Sequence, residues 1–299
     1  MEKREALLKS GKIVAEGLQL GKQLCKPGKN ILELLSEVEQ FIHDQGAELA
    51  FPAQISIDNV AAHWCAEPDD KTEFAEGQLV KLDIGAQIDG WIADSAISID
   101  LSKDNKHAAL IKAAEDARDK AVAIAKPGTT LGEIGKVIQD TITEAGFSPV
   151  KNLGGHGLGQ YTVHTDPRVP NIDTKDDTVL KEGMVIAIEP FASTGEGHVH
   201  EQEYGNIYAL SGKARVRGNF ARKALKIIQK RKGLPFSLHW LANEMGEGPA
   251  RFGLKEIYNS GEALTVYPPL VDTEGSFVSQ AEHSVIVEEE PVVYTKLSE

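Results

Sequence analysis

The sequence has 299 residues, 41% of them apolar and 26% charged, which fits a soluble globular chain of one large or two ordinary domains. A formal net charge of −13 argues against nucleic acid as the main partner and fits a monomer. Two cysteines, Cys25 and Cys65, make no disulfide framework, and no apolar run approaches the roughly 20 residues of a membrane helix, so a cytoplasmic protein with no membrane contact is expected.

In chain order, residues 2–25 read as an amphipathic helix with Leu7, Leu8, Ile13, Val14, Leu18, Leu20 and Leu24 on its apolar face, broken by Lys26-Pro27-Gly28. A second helix covers 31–43 and stops near Gly46. Residues 49–57 read as one strand-like run ahead of His63. Asp89-Gly90 between apolar runs then predicts a hairpin over 82–99. That turn sets Ile88 against Trp91 and Gly85 against Asp94, and puts Asp83 one diagonal step from Asp94 on the same face. Two carboxylates there repel unless one is protonated, the face is wet, or a cation lies between them. Apolar neighbours (Leu82, Ile84, Ile92, Ala93) favour the cation; a solvated hairpin edge is the ordinary alternative.

A helix over 106–125 follows, ending at Lys126-Pro127-Gly128, and another opens at Leu131 and ends near Gly146. This repeats the first quarter at an offset of 100 positions (126 − 26). Glu76-Gly77 and Glu182-Gly183 recur at an offset of 106 (182 − 76), which suggests two related α/β halves about a pseudo-two-fold axis. Residues 151–159 read as a glycine-dense loop around His156 whose glycines allow unusual backbone angles and close approach. It has neither the P-loop ending nor the dinucleotide spacing. Residues 185–191 read as an apolar strand carrying Glu189, and a later strand carries Glu282. Between them, residues 197–261 read as an inserted helical subdomain with a basic run from Lys213 to Lys232.

Asp83, Asp94, His156, Glu189 and Glu282 make an oxygen-rich set, enough for two divalent ions if carboxylates bridge them. Each has an ordinary explanation taken singly: a wet hairpin for the aspartates, a hydrogen-bonded loop histidine, glutamates paired with lysines. Together they point to hydrolysis.

These five positions, in the settings Gly-Gly-His156-Gly, Ile-Glu189-Pro and Ala-Glu282-His, resemble the metal ligands of the pita-bread fold metallopeptidases, over nearly the whole chain. Phe51-Pro52, Ala61-Ala62-His63, Tyr161-Thr162-Val163-His164 and Tyr267-Pro268-Pro269-Leu270 look like methionine aminopeptidase of type 2. So does the spacing of 93 positions (282 − 189) between the two glutamates, and the lack of a long N-terminal extension is like the archaeal form.

The resemblance implies an α+β pita-bread (creatinase/aminopeptidase-like) fold with two pseudo-symmetric α/β halves. The catalytic domain would span 1–196 and 262–299, with 197–261 inserted. It implies removal of the N-terminal methionine from peptides and nascent proteins by a water or hydroxide held between two divalent ions (Co, Mn, Fe(II) or Zn). Asp83, Asp94, His156, Glu189 and Glu282 would bind the metals; Glu189 would also move the proton; His63 and His164 would steady the oxyanion or the peptide backbone. Phe51, His63, Val163, His164 and Tyr267 would contact substrate. Gln54 is bulkier than the small residue expected beside the catalytic face. The rival readings are an X-Pro aminopeptidase or prolidase, and a non-catalytic ribosome- or RNA-associated protein on the same fold. The basic insert supports a transient contact with the ribosome.

Overall fold

The hairpin of strands Leu79–Ile88 and Trp91–Asp100 is the frame of the first half. Asp89 and Gly90 both take positive φ (53° and 86°), as a two-residue hairpin turn demands, and the register pairs Ile88 with Trp91, Gly85 with Asp94 and Asp83 with Ala96. The computed structural model describes residues 1–261 and 263–297; the domain boundary placed at 262, and the last two residues of the 262–299 segment, lie outside them.

Helix α1 (Lys3–Leu24) lies on this hairpin. It buries Leu7, Ile13, Val14 and Leu18 as expected, but Leu8 is exposed, and small residues complete the face. A Cβ on Gly21 would sit 2.2 Å from Leu82, and one on Gly17 2.9 Å from Ile84, so the glycines permit a contact that leucines would hold apart. Helices α2 (Ile31–Asp44), α3 (Ala108–Ile124) and α4 (Leu131–Glu144) fall where the sequence places them.

The repeat is physical. Gly28 N–H donates to Phe74 O (2.8 Å) and Gly128 N–H to Leu180 O (2.9 Å); Ile31 N–H donates to Thr72 O (2.9 Å) and Leu131 N–H to Thr178 O (3.0 Å). Asn30 and Thr130 cap the two following helices. The second half centres on an antiparallel sheet that runs His283–Ile286, Val185–Ile188, Gly154–Gly159, Thr162–Pro170.

Hydroxyls stitch the halves together. Ser284 donates to Asp94 O (2.7 Å), Ser95 to Glu282 O (2.7 Å) and Ser98 to Gln280 O (2.8 Å), while Glu282 N–H donates to Ala96 O (3.0 Å). Ser95 and Ser284 are fully buried. The two strands nearest the future site thus meet through hydroxyls that satisfy buried backbone groups.

Three segments differ from their sequence reading. Residues 49–57 are two short strands, Glu48–Leu49 and Gln54–Ile57, both on strand Leu79–Ile88. Pro52 has no N–H for a ladder, so the chain bows out between them and lays Phe51 over Gly85, where a Cβ would be 2.3 Å from the ring. The strand expected over 185–191 stops at Ile188; Glu189-Pro190 breaks it, and Phe191–Ser193 joins another sheet. The glycine-dense loop is a strand, Gly154–Gly159. None of its glycines has positive φ, so their use is proximity: a Cβ on Gly155 would lie 2.0 Å from Ala187 O, and one on Gly157 2.3 Å from Asp166 O. Gly155→Ala is expected to destabilise the fold by about 3 kcal/mol, read from the denaturation midpoint; an unchanged midpoint would refute this packing account.

Within 197–261 lie α5 (Asn219–Gln229), α6 (Leu238–Met245) and α7 (Glu247–Asn259). They share a separate core of Ala224, Ile228, Phe236, Leu241, Leu254 and Ile257. A three-stranded sheet of Phe236–Ser237, Ile207–Leu210 and Leu264–Tyr267 underlies them, which the helical reading of this segment did not include.

Candidate metal centre

Every candidate site residue reaches one cavity. Asp83, Asp94, His156, Glu189 and Glu282 line it together with Phe51, His63, Val163, His164 and Tyr267. The open space inside is about 60 Å³, and it gives onto a groove of about 910 Å³ that shares His63, His164, Glu189 and Tyr267. Asp83 and Asp94 come from the hairpin by the diagonal placement its turn dictates. His156 projects from the glycine strand, Glu189 from the Pro190 break, and Glu282 from the turn between strands Val278–Gln280 and His283–Ile286 rather than from within a strand.

The electrostatics call for a cation. Asp94, His156 and Glu282 each offer a ligand atom within 4.8 Å of the others. His156 Nε2 is 3.7 Å from Asp94 Oδ2 and 3.5 Å from Glu189 Oε1. Burial, then mutual repulsion, pushes the Asp94, Glu189 and Glu282 carboxyls well above the usual range, and burial lifts Asp83 to about 7. Asp83 Oδ1 and Glu282 Oε2 are buried with no hydrogen-bond partner among the described residues. His156 Nδ1 lies 3.2 Å from Gly157 O, an acceptor only, so it carries the proton and Nε2 turns a lone pair toward the acids. Burial and the neighbouring His164 lower this imidazole to about 3, which keeps it neutral. Two orphaned oxygens, a bare imidazole lone pair and four crowded acids fit a divalent cation, and hard oxygen ligands with one nitrogen suit such ions.

Around this set, His63 adopts φ +65°, uncommon for a residue with a side chain, and Gln54 Oε1 accepts its N–H at 2.9 Å. The bulk of Gln54 therefore has a use: it pins the strained residue. The Tyr267 ring stands edge-on to His63, 5.7 Å between centroids, and His164 packs 4.4 Å from His156. Sequence reasoning missed Gln280, whose side-chain amide is 3.4 Å from both Asp83 Oδ2 and Glu189 Oε2. Its position two residues before Glu282 was the available signal. Ile207 and Pro235 also line the cavity and were not foreseen.

The sequence pattern of Metallopeptidase family M24 matches residues 5–289. The chain belongs to metallopeptidase family M24. Among relatives of this M24 chain, the methionine aminopeptidase of Archaeoglobus fulgidus is 42% identical over 96% of each chain, and that of Pyrococcus horikoshii 40% identical over 97% of this chain and 98% of its own. Among solved structures, a methionine aminopeptidase from Thermotoga maritima superposes with a TM-score of 0.72 at 23% identity, covering 98% of this chain and 96% of that one. A thermophilic Arx1 superposes at 0.84 with 16% identity (99% and 91% coverage), and the prolidase from Pyrococcus furiosus at 0.61 with 22% identity (99% and 64%). The architecture is thus the pita-bread fold of M24 metallopeptidases, and membership implies that it binds divalent metal. Among the described residues, no helix is long and apolar enough to cross a membrane.

Proposed function

We propose that this M24 chain removes the N-terminal methionine from peptides and nascent proteins, with two divalent cations held by Asp83, Asp94, His156, Glu189 and Glu282. The carrying observation is the meeting of four crowded acids and a neutral histidine in a cavity that Phe51, Val163, Ile207, Pro235 and Tyr267 also line. Methionine aminopeptidases that match almost end to end support the same reading. Divalent cations bound there would lower the pKa of a water and polarise the scissile carbonyl.

The chain's own residues do the rest. Asp83, Asp94, His156, Glu189 and Glu282 would hold the cations, and in this reading Asp94 and Glu282 would be shared between them. Glu189 is also placed to take the proton of the attacking water and return it to the leaving amine. His63, lowered to about 4 by burial and by His164, is neutral, and with His164, at the groove, it would steady the developing oxyanion or the peptide backbone. Phe51, Val163 and Tyr267, with Ile207 and Pro235, form an apolar slot suited to an unbranched thioether. The acids meet the substrate's free α-amino group, which favours exopeptidase action. His63→Ala is expected to lower kcat about a hundredfold with little change in KM; an unaltered kcat would remove His63 from the mechanism.

The long segment between Glu189 and Glu282 supports assignment to type 2, with 1–196 and 262–299 as the catalytic unit and 197–261 as the insert. Location in the cytoplasm as a monomer belongs to the same reading. Lys223, Lys226 and Lys230 on α5 and its cap are exposed, which supports a transient electrostatic contact with the ribosome. Unchanged low-salt co-sedimentation after replacing all three by glutamate would rule that face out.

The deciding experiment is hydrolysis of Met-Ala-Ser before and after chelation, then with Co, Mn, Fe(II) or Zn restored singly. Activity lost on chelation and regained with an added ion is expected. Preference for an Xaa-Pro peptide instead would favour the prolidase-like reading, and no hydrolysis with any ion would leave a binding protein.

A further inference from the structure

The apolar slot is braced from outside by side chains that never touch substrate. Phe51 sits in the bowed segment between two short strands, where the ladder with strand Leu79–Ile88 is interrupted. Leu49, at the start of this buried segment, lines a cavity of about 610 Å³ together with Glu39, Tyr161, Arg231 and Trp240. Hydrogen bonds from these side chains tie the segment down. Arg231 Nη2 donates to Leu49 O (2.9 Å) and Ala50 O (3.3 Å), the two carbonyls before Phe51, and to Pro235 O (3.1 Å), whose ring lines the slot.

Glu39 of α2 works from the other end. Its Oε1 accepts from Ala53 N–H (3.1 Å), two residues past Phe51, and its Oε2 accepts from Trp240 Nε1–H (2.8 Å). The Arg231 guanidinium lies 4.8 Å over the Trp240 ring, which joins the two braces into one unit. The neighbouring Lys232 Nζ donates to Tyr161 Oη (2.8 Å), two residues before Val163 of the opposite wall.

We propose that Arg231, with Glu39, is a positioning residue that sets the methionine specificity of the slot by fixing the Phe51 and Pro235 walls relative to each other. This rests on the aminopeptidase reading above. One guanidinium nitrogen serves carbonyls of both wall segments, so its loss frees the walls to move apart while leaving the four acids and one imidazole of the metal centre untouched. A looser slot grips the thioether less well and rejects a branched side chain less well; the chemical step is little altered.

The test is steady-state hydrolysis of Met-Ala-Ser and Leu-Ala-Ser by the metal-loaded full chain. Arg231→Met is expected to raise KM for the methionyl peptide about tenfold, with kcat within about threefold, and to narrow the preference for Met over Leu by about tenfold. Arg231→Lys, a charged donor without the planar fork, should recover part of the preference. Glu39→Gln keeps the shape but presents an amide that can serve only one of its two donors, and should shift the same way to a smaller extent. A folded Arg231→Met protein with unchanged KM and preference would overturn the proposal, as would a fall in kcat alone. If Arg231→Met shows no cooperative thermal transition, the other two variants decide: wild-type preference in both overturns it. A wild-type chain that cleaves no methionyl peptide would instead overturn the aminopeptidase reading, and this inference with it.

Discussion

Glu282→Gln is expected to lower kcat/KM on Met-Ala-Ser by about a thousandfold or more. Glu282 is 2% exposed and faces Asp94 and His156, and one of its oxygens has no partner among the described residues. An amide there keeps the volume but loses the charge that would hold a divalent cation. The same change should have an opposite effect on the chelated protein. At pH 8, where the carboxyls are pressed to ionise, removing one member of a buried like-charge group should raise Tm by about 2–4 °C. Activity within tenfold of wild type, or a lower Tm under chelation, would show that Glu282 is not part of a repelling, cation-seeking cluster.

The second large effect is the pH dependence of the chelated protein. Asp83, Asp94, Glu189 and Glu282 hold protons more tightly folded than unfolded, where carboxyls titrate near ~4. Their contribution to stability is complete below about pH 4 and is lost as pH rises through about 7 for Asp83 and higher for the others. Buried Glu39, raised to about 7, adds to this. His63, His156 and His283, lowered to about 4, 3 and 3, and His164 and His239, lowered by burial, act in reverse: their contribution is present above the unfolded value of ~6.5 and is lost as pH falls. Lys81, pulled down by burial to about 7, opposes the acids with one proton above that pH. Below about pH 6.5 the two sets therefore offset each other, and above it the acids outnumber Lys81. Stability under chelation should be nearly level below pH ~6.5 and fall toward pH ~8 by about 1.4 kcal/mol per pH unit for each excess proton. Saturating Mn(II) should displace those protons and flatten the slope. Denaturant titrations at three pH values, with chelator and with Mn(II), measure both; a chelated protein that gains stability toward pH ~8 would contradict the assignment.

Much of the site was legible because short-range rules decide it. A two-residue Asp-Gly turn leaves one register, and that register alone puts Asp83 diagonal to Asp94. Lys-Pro-Gly followed by a capped helix recurs because each half makes the same backbone hydrogen bonds at its helix entrance. What stayed hidden depends on partners far along the chain. The strand Gly154–Gly159 has no alternating side chains to announce it; the closeness of the Val169, Ala187 and Asp166 carbonyls accounts for Gly154, Gly155 and Gly157. Leu8 fits a helical stripe but faces solvent because Gly17 and Gly21 draw α1 onto the hairpin at a different angle of its surface. Gln280, Glu39 and Arg231 belong to no periodic pattern, and their partners lie in other elements, up to 201 positions away for Glu39 and Trp240.

The hydroxyl-stitched joint between strand Trp91–Asp100 and the Gln280–Ser284 turn has a mechanical consequence. Two of the five candidate metal-binding residues stand on one side of that joint and three on the other, so an ion held by all five would rivet the lobes together. Stripped of its ions, the molecule should breathe first along this line, and amide deuteration at Glu282 and Gln280 should quicken before that of either lobe's interior.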